Sequence, residues 1–144
     1  MTATDFADKW LRNARNERAS SQEPFIDLCH VIGVPTPNEA DPTGDWYAFE
    51  KGATKTSGGE GFADVWQREH FGWEYKGKRK NLADAYSQLL RYREALDNPP
   101  LLVVCDLEKF EIHTNIERTG MVRAVVMSGL LTLGAIHHLG CRGR

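Results

Sequence analysis

Five apolar residues in a row, Leu101-Leu-Val-Val-Cys105, follow directly on the helix-stopping segment Asp97-Asn-Pro-Pro100. A strand that is apolar on both faces needs cover on both faces, so this run predicts a buried central strand. The segment before it predicts a helix. Asn81 can cap the N-terminus, and Asp84 at the third helical position suits the positive end of the dipole. Leu82, Ala85, Tyr86, Leu89, Leu90 and Leu96 form an apolar stripe that carries the helix to about Leu96.

Further upstream, residues 61–76 read as two short strands joined by a polar turn. Phe62–Trp66 is the first strand, Gln67–His70 the turn and Phe71–Lys76 the second strand. After the central strand, Asp106-Leu-Glu108 turns into a last one, Lys109–Thr114, with Phe110 and Ile112 facing inward. Two helices open the chain. The first is expected from Asp5 to Ala19 with Thr4 as its cap and Phe6, Trp10, Leu11 and Ala14 as its apolar stripe. The second begins at Pro24, buries Phe25, Leu28, Cys29 and Ile32, and ends at Gly33 and Pro35. Residues 35–45 read as a loop, Trp46–Glu50 as an aromatic segment, and Lys51–Glu60 as a flexible approach to the hairpin. The fold class predicted is α/β, a small mixed β-sheet flanked by helices.

At 144 residues the chain is long enough for one real core, and its 41% hydrophobic and 26% charged residues are ordinary for a globular domain. A net charge of −2 excludes a globally basic nucleic-acid binder, so any such footprint must be local. Lys76, Lys78, Arg79 and Lys80, then Arg91 and Arg93, supply a local cluster, which a solvated loop would explain equally well. Three widely spaced cysteines, Cys29, Cys105 and Cys141, without a Cys-x-x-Cys pair support neither a zinc knuckle nor a disulfide framework. The N-terminus lacks a signal-peptide pattern, which fits a cytoplasmic location. Gly58-Gly-Glu-Gly61 has the wrong spacing for a phosphate-binding loop. The stretch 124–136 is too short and glycine-broken for a membrane span.

The chemistry concentrates on the hairpin. Alternation places Glu74 and Lys76 on one face of the second strand and Trp73 and Tyr75 on the other. If the strands pair, Asp64 faces Glu74 across the ladder. Two carboxylates and a lysine meeting at strand ends are the set needed to hold Mg²⁺ against a phosphate and activate water, because Mg²⁺ is satisfied by one or two carboxylates plus waters and substrate oxygens. Mn²⁺ could stand in for it, and the Tyr75 carbonyl could add a ligand. Lys76 would orient or deprotonate the water, or stabilise developing charge. Acid followed by acid-x-lysine also occurs on ordinary solvated strands. Three features favour chemistry: the motif spans a hairpin, a basic linker follows, and Gln88 and Tyr92 lie one turn apart on the next helix. Trp66, Trp73 and Tyr75 are assigned to packing. His70 and His113 lack a second ligand at metal spacing, and they and His30 read as structural or exposed.

Several segments together resemble the N-terminal endonuclease domain of MmeI-like enzymes, the type IIL/IIG fusions of restriction endonuclease and adenine-specific DNA methyltransferase. They are Gly61–Trp66, Phe71–Gly77, Ala85–Tyr92, Asn98–Asp106 and Ile112–Asn115, and the resemblance covers about residues 1–115. It implies a restriction-endonuclease-like, PD-(D/E)XK core in which Asp64 is the first metal-binding acid and Glu74 and Lys76 form the acid-x-lysine element. It also implies a helix motif, Gln88-Leu-Leu-Arg-Tyr92, beside the active site, and an upstream acid that Glu50 would match. Catalytic residues are therefore expected at Asp64, Glu74, Lys76, Gln88 and Tyr92, with Asp64, Glu74 and Glu50 as metal ligands. Ala63 departs from the family's proline before the first acid.

The domain organisation expected is a nuclease domain over residues 1–114 and an atypical tail over 115–144. That tail is read as an amphipathic helix or an unpacked appendage, and a truncated or separately encoded nuclease piece would account for it. No methyltransferase motif is present, since Asn98-Pro-Pro-Leu101 only resembles one. The function expected is Mg²⁺-dependent hydrolysis of DNA phosphodiesters in a restriction-modification or phage-defence system. The alternative is a non-catalytic DNA-binding or assembly module, or a remnant, that needs a separate methyltransferase and target-recognition partner. Cutting both strands with one site per chain requires a homodimer or two successive nicks.

Overall fold

A computed structural model describes residues 1–12, 22–54, 60–77, 81–114 and 123–126. Helix α1 (Ala3–Leu11) is capped by Thr2 and not by Thr4. The Thr2 hydroxyl accepts from the Asp5 N–H at 3.1 Å, and the Asp5 carboxylate accepts from the Thr2 N–H at 2.9 Å. This reciprocal capping box satisfies two otherwise orphaned donors, and it sets the helix start two residues earlier than a lone cap at Thr4 would. The α1 helix ends at Leu11, and the expected continuation through 13–19 lies outside the described residues. Helix α2 (Gln22–Ile32) packs beside it. Buried Asp27 of α2 takes the Trp10 indole N–H at 3.0 Å and the Lys9 ammonium at 2.8 Å, tying the pair together.

The segment expected to be only loop contains a short helix, α3 (Pro37–Ala40), with a second capping box between Thr36 and Glu39. Asp41 then starts the sheet. Its carboxylate accepts from the N–H groups of Trp46 and Tyr47 at 2.7 and 2.9 Å. Burial acts to raise its pKa, but these bonds and those from Thr43 and Gly44 prevail and hold it below the usual carboxylate range.

Six strands pair in sequence order: β1 (Tyr47–Thr54), β2 (Glu60–Gln67), β3 (Phe71–Tyr75), β4 (Leu101–Cys105), β5 (Lys109–Thr114) and β6 (Arg123–Val126). The sheet is mixed: β3 and β4 are parallel and every other pair is antiparallel. Helix α4 (Leu82–Arg91) makes the parallel crossover and lies on β3 and β4. Two corrections follow. The stretch from Trp46 to Glu60, expected to be an aromatic segment and a flexible approach, supplies β1 and the start of β2. Helix α4 stops at Arg91 and not near Leu96, and a 3₁₀ turn, Glu94–Leu96, continues it. That turn is held to the sheet, because the Trp66 indole N–H donates to the Leu96 carbonyl at 2.9 Å. In the tail, β6 extends the sheet along β5, while residues 127–144, with His137, His138 and Cys141, lie outside the described set.

Each face of the sheet has its own core. On the α1–α2 face, Phe6, Trp10, Phe25, Leu28, Tyr47, Trp73, Tyr75 and Phe110 pack around Val65, Val103 and Ile112. On the α4 face, Leu82, Ala85, Leu89, Tyr92 and Leu96 cover Trp66, Leu102 and Val104. The run Leu101–Cys105 is thus the covered interior strand expected, with Val104 and Cys105 fully buried. Burial pushes the Cys105 thiol well above the usual range, so it stays protonated, as an inert core cysteine does.

Candidate active site

The site is built where β2 and β3 part. Their antiparallel pairing runs Gln67↔Phe71, Trp66↔Gly72 and Val65↔Trp73, and it ends there. One step further, this register sets Asp64 opposite Glu74. In place of a backbone rung, the Asp64 carboxylate accepts the Tyr75 N–H at 2.7 Å. On the other side of β2, pairing with β1 passes from Phe49↔Val65 to Lys51↔Ala63 and omits Glu50 opposite Asp64. Glu50 has a left-handed φ of 53°. Val65 packs in the α1–α2 core while Ala63 packs in the α4 core, although a regular strand would put both on one face. The strand therefore turns over at Asp64.

Glu74 projects from β3 toward α4 and is only 6% exposed, so its charge needs partners. It has them. Gln88 Nε2 donates to Oε1 at 3.0 Å and the Tyr92 hydroxyl donates to Oε2 at 3.3 Å. Gln88 Nε2 also reaches the Tyr92 hydroxyl oxygen at 3.3 Å, and Gln88 Oε1 accepts from the Lys76 ammonium at 3.2 Å. An ammonium only donates and a carboxylate only accepts, so the network admits one orientation of the Gln88 amide. Burial, then the neighbouring Glu74 charge, raise the Tyr92 hydroxyl beyond the ordinary tyrosine range, with Asp64 adding to the effect. Tyr92 is a fixed neutral donor there.

Gly72 lets α4 come this close. A Cβ at that position would lie 3.2 Å from a Leu96 methyl, 3.4 Å from one of Leu102 and 3.8 Å from one of Leu89. Leu89 belongs to α4 and Leu96 to the turn after it, the segment that delivers Gln88 and Tyr92, while Leu102 is Gly72's neighbour on β4.

Five sequence-derived site residues, Asp64, Glu74, Lys76, Gln88 and Tyr92, are brought to one end of the sheet. Glu50 is not gathered with them: it is exposed on edge strand β1. Among the described residues, no three His, Cys, Asp or Glu side chains lie close enough to hold a metal ion between them. Two carboxylates are what this cluster offers a cation. That fits a hard ion that completes its shell with water and phosphate oxygens, and it does not fit a closed zinc site. The basic linker residues Lys78, Arg79 and Lys80 lie outside the described residues.

The histidines stand apart from this cluster. His30 and His70 are exposed. His113 of β5 stacks on Tyr86 of α4, with ring centroids 3.6 Å apart, and its Nε2 lies 3.6 Å from Glu111. That stack escaped the sequence reading, because nothing in the β5 pattern shows which helix residue will cover it. Trp66, Trp73 and Tyr75 are buried, in keeping with a packing role. No helix among the described residues is long and apolar enough to cross a membrane.

A search of curated proteins found no match. Among solved structures the chain is similar to one in the cryo-EM structure of a DrdV–DNA complex. The TM-score is 0.59 at 16% sequence identity, covering 99% of this chain and 95% of that one. At that identity the likeness speaks for the fold, the restriction-endonuclease-like α/β core that the sequence led us to expect. The family model of the MmeI N-terminal domain matches residues 1–133, past the end of β5 and through β6. With most of its length matched, the chain belongs to the MmeI N-terminal domain family.

Proposed function

We propose that this chain is the endonuclease domain of a restriction-modification or phage-defence system and hydrolyses DNA phosphodiesters with Mg²⁺, or Mn²⁺ in its place. The observation that carries the reading is the meeting of Asp64, Glu74 and Lys76 at the parting of β2 and β3, backed by Gln88 and Tyr92. This is the PD-(D/E)XK constellation of two acids and a lysine. Membership of the MmeI N-terminal domain family and the likeness to a chain solved with DNA support it.

Asp64 and Glu74 would hold the ion. When bound, it supplies positive charge to a phosphoryl oxygen and acidifies a coordinated water. The protein's own groups do the rest. Lys76 presents a cation to the phosphate or to the attacking water, and Gln88 fixes where that cation sits. Tyr92 keeps its proton and points it at Glu74, which orients the carboxylate. DNA is the substrate, and a separately encoded methyltransferase and target-recognition subunit is the partner proposed to supply sequence specificity. Double-strand cleavage calls for a homodimer or two nicks. A reducing cytoplasm suits the buried free thiols Cys29 and Cys105.

Nicking of supercoiled plasmid with Mg²⁺ or Mn²⁺ tests the proposal. Wild type should cleave, and Asp64→Asn and Lys76→Ala should each lose about 10²–10³ in rate, the usual cost of removing one charge-stabilising group. Equal rates in all three proteins would remove the nuclease reading. If the wild type is silent alone, cleavage that appears on adding a methyltransferase partner retains it. Silence with the partner leaves the chain as a binding or assembly module.

A further inference from the structure

Gln88 spends every polar group it has on the cluster. Its carbonyl takes the Lys76 ammonium at 3.2 Å, and its amide nitrogen serves both the Glu74 carboxylate at 3.0 Å and the Tyr92 hydroxyl at 3.3 Å. A primary amide can answer a cation at one end and an anion at the other while carrying no charge itself. Glu74 and Lys76 need such an intermediary. They are two residues apart at the end of one strand, and Glu74 is buried, where attraction between opposite charges is less screened than in water. An ammonium settled directly on Glu74 would cancel the charge that a cation needs and would withdraw its own charge from a phosphate.

We propose that Gln88 is a positioning residue that works as a neutral spacer, holding the Lys76 ammonium off Glu74 so that the two do not cancel each other. The inference rests on the divalent-ion reading of this cluster. A glutamate at position 88 would capture the ammonium for itself. An apolar side chain there would let Lys76 fall onto Glu74. Glutamine does neither, and its partial burial on α4 keeps it in place.

The test is Mn²⁺ binding, followed by calorimetry and by the electron paramagnetic resonance of free Mn²⁺, on four proteins: wild type, Gln88→Met, Lys76→Met and the double variant. Methionine keeps the length of the side chain and removes its hydrogen bonds. Gln88→Met should weaken Mn²⁺ binding about tenfold or more, and the double variant should recover the affinity of Lys76→Met, a coupling that a double-mutant cycle reads directly. A residue that merely packed would give loss without recovery. Unchanged binding in Gln88→Met, or a loss that removing Lys76 does not relieve, overturns the spacer role while leaving the ion site standing. No Mn²⁺ binding by the wild type overturns the ion site and the spacer together. Should Gln88→Met fail to unfold cooperatively in urea, Gln88→Ala with and without Lys76→Met reads the same recovery.

Discussion

Trp73 and Glu74 are adjacent in one strand and live in unlike surroundings. Trp73 faces α1 and α2, where its ring meets Phe25 at 5.2 Å, Phe110 at 5.6 Å and Tyr75 at 5.7 Å between centroids. Glu74 faces α4, where its oxygens are met by an amide and a phenol. One side of the sheet is closed by aromatic contact and holds the fold together. On the other, hydrogen bonds hold Glu74 at the edge of a second, leucine-rich core. A strand of period two serves both without compromise, because consecutive residues never share a face. The protein can thus keep an electrostatically costly cluster at the edge of one apolar core and directly behind the other.

The sharpest test of that division is Trp73→Ala. It should cost about 3–5 kcal/mol of unfolding free energy, as large aromatic truncations in a core do, measured by urea denaturation. Its neighbour Glu74→Gln should stay within about 1 kcal/mol of wild type by the same measurement while abolishing Mn²⁺ binding. Similar stability losses in both would mean that the two faces are not separable.

Gly72→Val is the way to break the comparison, since Gly72 lies on the chemical face yet acts through packing. Its new carbons would press on Leu96, Leu102 and Leu89, and overpacking of this kind costs about 1–3 kcal/mol. Because Leu89 and Leu96 belong to α4 and the turn after it, Mn²⁺ affinity should fall along with stability. Stability loss without any effect on Mn²⁺ would show that Gln88 and Tyr92 do not depend on how closely α4 approaches.

The smallest effect belongs to His113. Burial lowers its pKa below the ordinary 6.5, against the pull of Glu111, whose other oxygen is bound by Lys109 at 3.0 Å. A histidine depressed in the folded state is protonated first in the unfolded chain. Its contribution is therefore intact above 6.5 and is lost as pH falls through that value toward the folded one. The urea midpoint should drop over that window, and His113→Phe, which keeps the stack on Tyr86, should flatten the drop.

The sequence carried the interior of this molecule better than its margins. Leu101–Cys105 had to be covered on both faces whatever lay around it, and the alternation of Trp73, Glu74, Tyr75 and Lys76 separated core from chemistry without knowledge of any partner. Gln88 and Tyr92 were legible by their spacing of one helical turn. Strand β1 was not. Gly52, Ala53 and Thr54 have no alternating pattern of their own, and the segment is a strand only because β2 supplies its hydrogen bonds. The end of α4 misled for the opposite reason: Leu96 keeps the helical phase through a 3₁₀ turn, so the apolar stripe continues after the α-helix has stopped. Where Glu50 would sit was not legible, because a sequence shows an acid near the hairpin but not the left-handed backbone that leaves it exposed. The hydrogen bond from Tyr75 to Asp64 lay beyond any local pattern, since it exists only where a ladder breaks.

That break has a mechanical meaning. The register skips Glu50 on one flank of Asp64 and stops before Glu74 on the other, so Asp64 stands at a seam: pairing with β1 resumes at Ala63, while pairing with β3 has ended. Val65 and Trp66, one and two steps along, are paired with both β1 and β3, so the sheet is clamped right beside the acid. The stitching between β2 and β3 thus stops one rung short of the residue from which most adaptation would be asked.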